Sequence, residues 1–191
     1  MGLSLVGIDC DLGEASVQIA SDSYSIGELA TRRLIDDGCS RILCLRNNSR
    51  MRMPANKRTD AYYDVVEQAG LPALVREVEF VKPDDEKSAV VAKILDENPD
   101  IDGIFAGDDT MAAICLNVMK QRGLSAPDDI KVVGADGARR TMTFMPDLTT
   151  VRQDIDRIGE LAAQSIIALV NGEKPESNIK LPVELIEGKT A

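Results

Sequence analysis

Short β-branched runs alternate with stretches of helical spacing along most of the chain, and the clearest unit lies at 101–137, IDGIFAGDDTMAAICLNVMKQRGLSAPDDIKVVGADG. Residues 101–106 form an apolar run broken by Gly103 and closed by Gly107-Asp108-Asp109. From Thr110 onward Met111, Ile114/Cys115 and Val118/Met119 recur at the helical period, so one helix face is expected to be buried. Asp109 is predicted to cap this helix and Gly123 to stop it. Residues 130–133 read as a strand covered on both faces. Strand, helix, strand in that order implies parallel pairing through a right-handed crossover.

The remaining pattern extends this unit in both directions. A strand is predicted over 3–8, a polar turn over 9–13 and a short extended piece over 17–20. Ile26, Leu29/Ala30 and Arg33/Leu34 then mark a helix halted by Gly38. Ser25 and Glu28 match a capping box at its start, with Asp22 as the alternative cap. A buried strand follows at 41–45, a polar loop at 46–56, and a helix on Ala61/Tyr62, Val65/Val66 and Ala69. The run 74–80 alternates as an edge strand would, and a helix over 84–98 is stopped by Pro99. Residues 138–147 show no period and read as a loop, and 148–151 as a short strand. The longest helix covers 154–171, with Ile155, Ile158, Ala162, Ile166 and Leu169 on one face. Residues 181–186 are extended, and Pro182 there suits an edge or a crossover. This order predicts an α/β protein with a doubly wound parallel sheet.

Composition narrows the chemistry. With 191 residues, 44% of them hydrophobic, there is material for one large domain or one domain with part of a second. No apolar run approaches the roughly twenty residues of a membrane span. No export signal precedes the first strand. A net charge of −10 argues against the chain gripping nucleic acid by itself. The four cysteines lack C-x-x-C spacing and lie in apolar segments, as buried free thiols of a reducing cytoplasm do. The absence of histidine excludes Ser-His-Asp and Cys-His catalysis, and neither dinucleotide nor P-loop motifs occur. No cofactor or metal is expected. Paired acids before a helix, such as Asp108-Asp109, more often serve the helix dipole than an ion.

The strand exits hold the candidate binding groups. The loop after residue 45 carries Arg46, Arg50, Arg52, Lys57 and Arg58, a basic cluster in an acidic protein. If the chain reverses direction across the sheet here, this loop and the one after Ala106 flank the switch point where such sheets bind ligands. Arg58 and Asp108 would then meet across one crevice with Asp136 alongside. Guanidinium and carboxylate groups hold polyhydroxy ligands through paired hydrogen bonds. The alternative is a solvated loop beside three helix-capping acids.

A dense set of short matches adds a family resemblance from about Val6 to Thr190. It rests on Asp9, Ser21-Asp22 with Gly27, Gly38 before Arg41-Ile42, Arg58-x-x-x-Tyr62, and Asp102-Gly103-Ile104-Phe105. It continues through Asp109 with Met111-Ala112, Pro127-Asp128-Asp129-Ile130, Val132-Val133-Gly134-x-Asp136, Pro146-x-Leu148-Thr149-Thr150-Val151-x-Gln153 and Leu181-Pro182-Val183-x-Leu185. Together these resemble the effector-binding region of LacI/GalR-type transcription regulators. The resemblance implies a type I periplasmic-binding-protein-like fold, truncated at the N-terminus. Two subdomains joined by three crossovers would enclose a ligand cleft. Residues 1–18 and 153–180 would be a remnant of the N-terminal subdomain. Residues 19–152 and 181–191 would form the C-terminal one. The DNA-binding headpiece and the first half of the N-terminal subdomain would lie outside this chain.

By position, the resemblance implies sugar contacts at Arg58 and Asp136. Asp108 takes a ligand-facing slot usually held by asparagine, while Asp9 and Gln153 lie at the cleft edge or crossover. Tyr62, Tyr63 and Phe144 are the candidate stacking platforms, and Lys82 falls near a position that is aromatic in some members. Arg46, Arg50, Arg52 and Lys82 raise the possibility of an anionic effector such as a sugar phosphate, against a neutral sugar. The implied protein is a cytoplasmic, homodimeric regulator, most simply a repressor, that is not an enzyme and meets operator DNA only through its headpiece. The alternative is a solute-binding protein serving a transporter.

Overall fold

The computed structural model describes residues 5–10, 12–13, 16–48, 55–79 and 81–191. Among them are six helices and nine strands, and the strands form two sheets. β1 (Leu5–Ile8), β2 (Ser16–Ser21) and β8 (Asn178–Leu181) pair in parallel in a three-stranded sheet of order β1-β2-β8. The larger sheet contains β3 (Ile42–Asn48), β4 (Leu74–Glu79), β5 (Gly103–Ala106), β6 (Lys131–Asp136), β7 (Thr149–Gln153) and β9 (Val183–Ile186). Its order is β4-β3-β5-β6-β7-β9, parallel except for the antiparallel β9. The chain steps outward from β3 to β4 and returns past β3 to β5, so the switch point lies between β3 and β5.

Strand alternation builds a core on each face of the larger sheet. Ile42, Cys44, Phe105, Val133 and Val151 face α1 (Ser23–Asp36) and α2 (Asn56–Gln68) through Ile26, Leu34, Tyr62 and Val66. Leu43, Leu45, Ile104 and Val132 face α3 (Asp84–Glu97) and α4 (Asp109–Gln121) through Val91, Ile94, Met111, Cys115 and Met119. The smaller sheet packs Val17 and Ile19 against Ile158 of α6 (Ile155–Val170).

Three crossings join the sheets: β2 to α1, β7 to α6, and β8 to β9 through Pro182. The Asp22 N–H donates to the Leu181 carbonyl at 2.8 Å, and its carboxylate pairs with Lys180 at 2.8 Å, tying the first crossing to the third. The same side chain caps α1 by accepting from the Ser25 N–H, so Asp22 is the cap and the Ser25/Glu28 box is not used.

Other boundaries move for identifiable reasons. β3 and β6 run on to Asn48 and Asp136 because ladder pairing continues under polar side chains. Asp108, in extended backbone, caps α4 by accepting from the Met111 N–H at 2.7 Å; Asp109 is therefore the first helical residue rather than the cap. The segment read as a loop contains α5 (Arg139–Phe144), whose lack of buried side chains left no apolar period to detect. On α6, Ile158 is buried, but Ile155 and Ile166 are 50% and 40% exposed, so its predicted apolar face is only partly covered.

Candidate functional site

Parallel strands deliver Asn47, Asp108, Asp136 and Gln153 to one edge of the larger sheet, at the carboxyl ends of β3, β5, β6 and β7. Arg58 reaches the same edge from the first turn of α2. Gly27 on α1 makes that approach possible, because a Cβ there would strike the Arg58 main-chain carbonyl. The guanidinium is nearly buried, its side chain 10% exposed. Its Nη1 donates to the Gly107 carbonyl and its Nη2 to Asp136 Oδ1 at 2.9 Å, while Nε has no hydrogen-bond partner.

Asp136 is the hub. Gln153 Nε2 also donates to its Oδ1, at 2.6 Å, so both protein bonds converge on one carboxylate oxygen. The backbone is held at φ +107°, in the left-handed region a non-glycine residue seldom occupies. Such strain persists where surrounding contacts over-determine it, and often does so at ligand sites. Burial pushes the Asp136 carboxyl above the usual carboxylate range, with the Asp108 charge adding to it; Arg58 and Gln153 oppose the rise.

The smaller sheet contributes Asp9, in the turn after β1, also at positive φ (+48°), with its N–H donating to Ile19. Burial raises its carboxyl too, against the Ser21 backbone and the Arg58 charge. Asp9 and Asp136 thus lie in the field of one guanidinium.

The expected meeting of Arg58 with Asp108 is replaced by Arg58 with Asp136. Asp108 instead accepts from Asn47 Nδ2 and from its own helix. Three other expected site residues stand apart. Tyr62 is fully buried; its hydroxyl donates to the Ile42 carbonyl at 2.7 Å and accepts from the Leu74 N–H at 2.8 Å, so it ties β3 to β4 and offers no stacking face. Arg46 pairs with Glu77, directly opposite on β4. Lys82 pairs with Glu86 at 3.4 Å. Arg50 and Arg52 lie outside the described residues.

Sequence reasoning missed Asn47, because the strand was ended where polar residues begin, and it missed a second layer behind Asp136. Asp109 is 3% exposed and accepts from Thr150 Oγ1 at 2.6 Å. Gly134 makes room for it, since a Cβ there would stand 2.6 Å from Asp109 Oδ1. Asp108 and Asp109 therefore point to different partners and do not converge on an ion. No group of three potential metal ligands occurs among the described residues. A separate open groove of about 800 Å³ borders the site at Gly137 and Gln153, lined by Met142, Arg152, Asp154 and Pro182, but it contains none of Arg58, Asp108 or Asp136.

Two sheets are thus joined by three crossings, with polar groups gathered at the strand ends beside them. Residues 31–191 match the periplasmic binding protein-like domain family. The chain is 30% identical to the ribose operon repressor of Halalkalibacterium halodurans, with 100% of this chain and 57% of that protein covered. It is 31% identical to the sucrose operon repressor of Pediococcus pentosaceus, with 100% and 59% covered. Its structure superposes on a complex of the transcriptional regulator CelR with cellobiose at a TM-score of 0.84 and 26% identity, covering 97% of this chain and 58% of that one. The chain belongs to the periplasmic-binding-protein-like effector-binding domains of the LacI family, and it spans a little over half the length of the curated relatives it matches.

Proposed function

We propose that this chain is the sugar-sensing region of a LacI-type regulator, with the effector held at Arg58, Asp108 and Asp136 on the larger sheet and approached by Asp9 and Gln153 from the crossings. The Arg58–Asp136–Gln153 cluster carries this reading, because it joins a strand-end carboxylate to a helix and to a crossing between the sheets. Relatives named as ribose and sucrose operon repressors favour it over a transporter's solute-binding protein or an enzyme. In this reading residues 1–18 and 153–180 belong to an N-terminal subdomain and residues 19–152 and 181–191 to a C-terminal one. Effector binding shifts the population of their arrangements, because the ligand prefers one of them. The regulator is a cytoplasmic homodimer and represses through a headpiece outside this chain.

Asp9, Asp108 and Asp136 are acceptors when ionised, so the ligand must supply donors, which sugar hydroxyls do. That favours a neutral sugar. An anionic sugar derivative draws no support from Arg46 or Lys82, both already paired, and rests on the basic residues of 50–52.

The test is a thermal-shift series with ribose, sucrose, cellobiose, ribose 5-phosphate and gluconate, on this chain and on one extended upstream. A sugar at a hundred times its Kd stabilises by about 2.7 kcal/mol. Neutral sugars are expected to shift the melting temperature, and Arg58→Ala or Asp136→Asn to remove the shift. A response to the anions alone would assign specificity to the basic loop. Silence of the extended chain towards all five would overturn the sensor reading.

A further inference from the structure

At the β3 end of the strand edge stands an amide to which no role has yet been given. Leu45 is paired with Ala106 at the last rung between β3 and β5, and Asn47 and Asp108 lie two residues beyond it on either side. Gly107 lets the two strand ends stay this close, because a Cβ there would stand 2.8 Å from the Leu45 carbonyl oxygen. On its other side Asn47 is still paired with Val78 of β4, which fixes its backbone. Asn47 Nδ2 donates to Asp108 Oδ2, while Asp108 Oδ1 accepts from the Met111 N–H at 2.7 Å.

This pairing decides which way the amide is turned. With both oxygens accepting, Asp108 holds Asn47 by its NH2 group alone. Asn47 Oδ1 is left on the opposite side of the amide, without a hydrogen-bond partner among the described residues. Gln153 repeats the arrangement on β7, where its Nε2 is held by Asp136 Oδ1 at 2.6 Å. β3 and β7 stand three strand spacings apart, about 14 Å. Arg58 lies between them, on the Gly107 carbonyl and on Asp136. The edge thus has an oriented amide at each end and a guanidinium in the middle.

We propose that Asn47 is a specificity-determining residue of the effector site: its carbonyl accepts from a sugar hydroxyl at the β3 end, and Asp108 is the positioning residue that turns it there. This rests on the reading of the strand ends as the effector wall. Asn47 Oδ1 needs a donor, which a hydroxyl supplies and a carboxylate or phosphate oxygen does not. A compound lacking that hydroxyl leaves the carbonyl unpaired and is bound less well.

The deciding experiment is calorimetric titration of the chain extended upstream with ribose, sucrose, cellobiose, ribose 5-phosphate and gluconate. Asn47→Leu, close in size but without an amide, should weaken whichever of the five binds the wild-type chain by about three- to tenfold. Asn47→Ser keeps a polar group on β3 but is too short to bridge Asp108 and a sugar. It should weaken binding likewise, and it carries the test if Asn47→Leu does not fold. Asp108→Asn preserves the α4 cap, since asparagine caps as well as aspartate, but lets the Asn47 amide turn over. It should weaken binding alone, and by a smaller factor when combined with Asn47→Leu. Additive losses in the double variant would overturn the positioning role of Asp108. An Asn47 that only ties β3 to the α4 cap would lower the sugar-free melting temperature and leave every affinity at its wild-type value, which would overturn the proposal. Wild-type silence towards all five compounds would overturn the effector reading itself, whereas unaltered binding in Asn47→Leu counts against Asn47 alone.

Discussion

The two sheets use similar strands but differ in cover. In the larger sheet all four residues of β5 are buried, and helices close both faces. The smaller sheet has three strands and one helix, and that helix leaves Ile167 and Val170 61% and 75% exposed. Stability follows from burial of apolar surface. Arg58, Asp108, Asp109 and Asp136 are all built on the larger sheet and its helices. The smaller one supplies Asp9 from an element with less to hold it.

The largest expected effect sharpens that contrast. Phe105→Ala, at a fully buried central position, should cost about 3–5 kcal/mol in the main unfolding transition. Ile19→Ala, equally buried but in the smaller sheet, should instead lower hydrogen-exchange protection of β1, β2 and β8 while leaving β5 and β6 protected. Uniform loss of protection in Ile19→Ala would mean that the two sheets unfold as one unit.

A smaller effect separates two residues of the same helix. Arg58 and Tyr62 stand one turn apart on α2, yet one faces the strand ends and the other closes the sheet. Tyr62→Phe leaves the Leu74 N–H without its acceptor and should cost about 1–3 kcal/mol. The sugar response should persist at the lower melting temperature. Loss of that response with unchanged stability would return Tyr62 to the site.

These outcomes bear on what the residues disclosed. The parallel sheet and its switch point were legible, because strand runs and helical spacing report locally. The pairing of Arg58 with Asp136 instead of Asp108 was not, since it depends on Gly27 admitting α2 at one depth. Asp109 and Thr150 meet only through tertiary packing, 41 residues apart in sequence. Tyr62 misled because an aromatic one turn from a strand-end arginine carries the same pattern whether it faces a cleft or the core. Arg46 and Lys82 pair with Glu77 and Glu86 in the fold.

The smallest expected effect tests the bare side of α6. Periodicity marks an apolar face but cannot say whether anything lies against it. Val170 occupies the last turn of the helix and is 75% exposed in this chain. Val170→Lys therefore removes little buried area. It also places a cation beside the helix C-terminus, where the dipole favours it, and replaces a β-branched residue with a better helix former. The net change should fall within about 0.5 kcal/mol, on the stabilising side, in chemical denaturation of the isolated chain. A loss above about 1 kcal/mol, growing with protein concentration, would mean that a second copy covers this face in solution. The contrast between a covered and an uncovered sheet would then be one between contacts within a chain and contacts between chains.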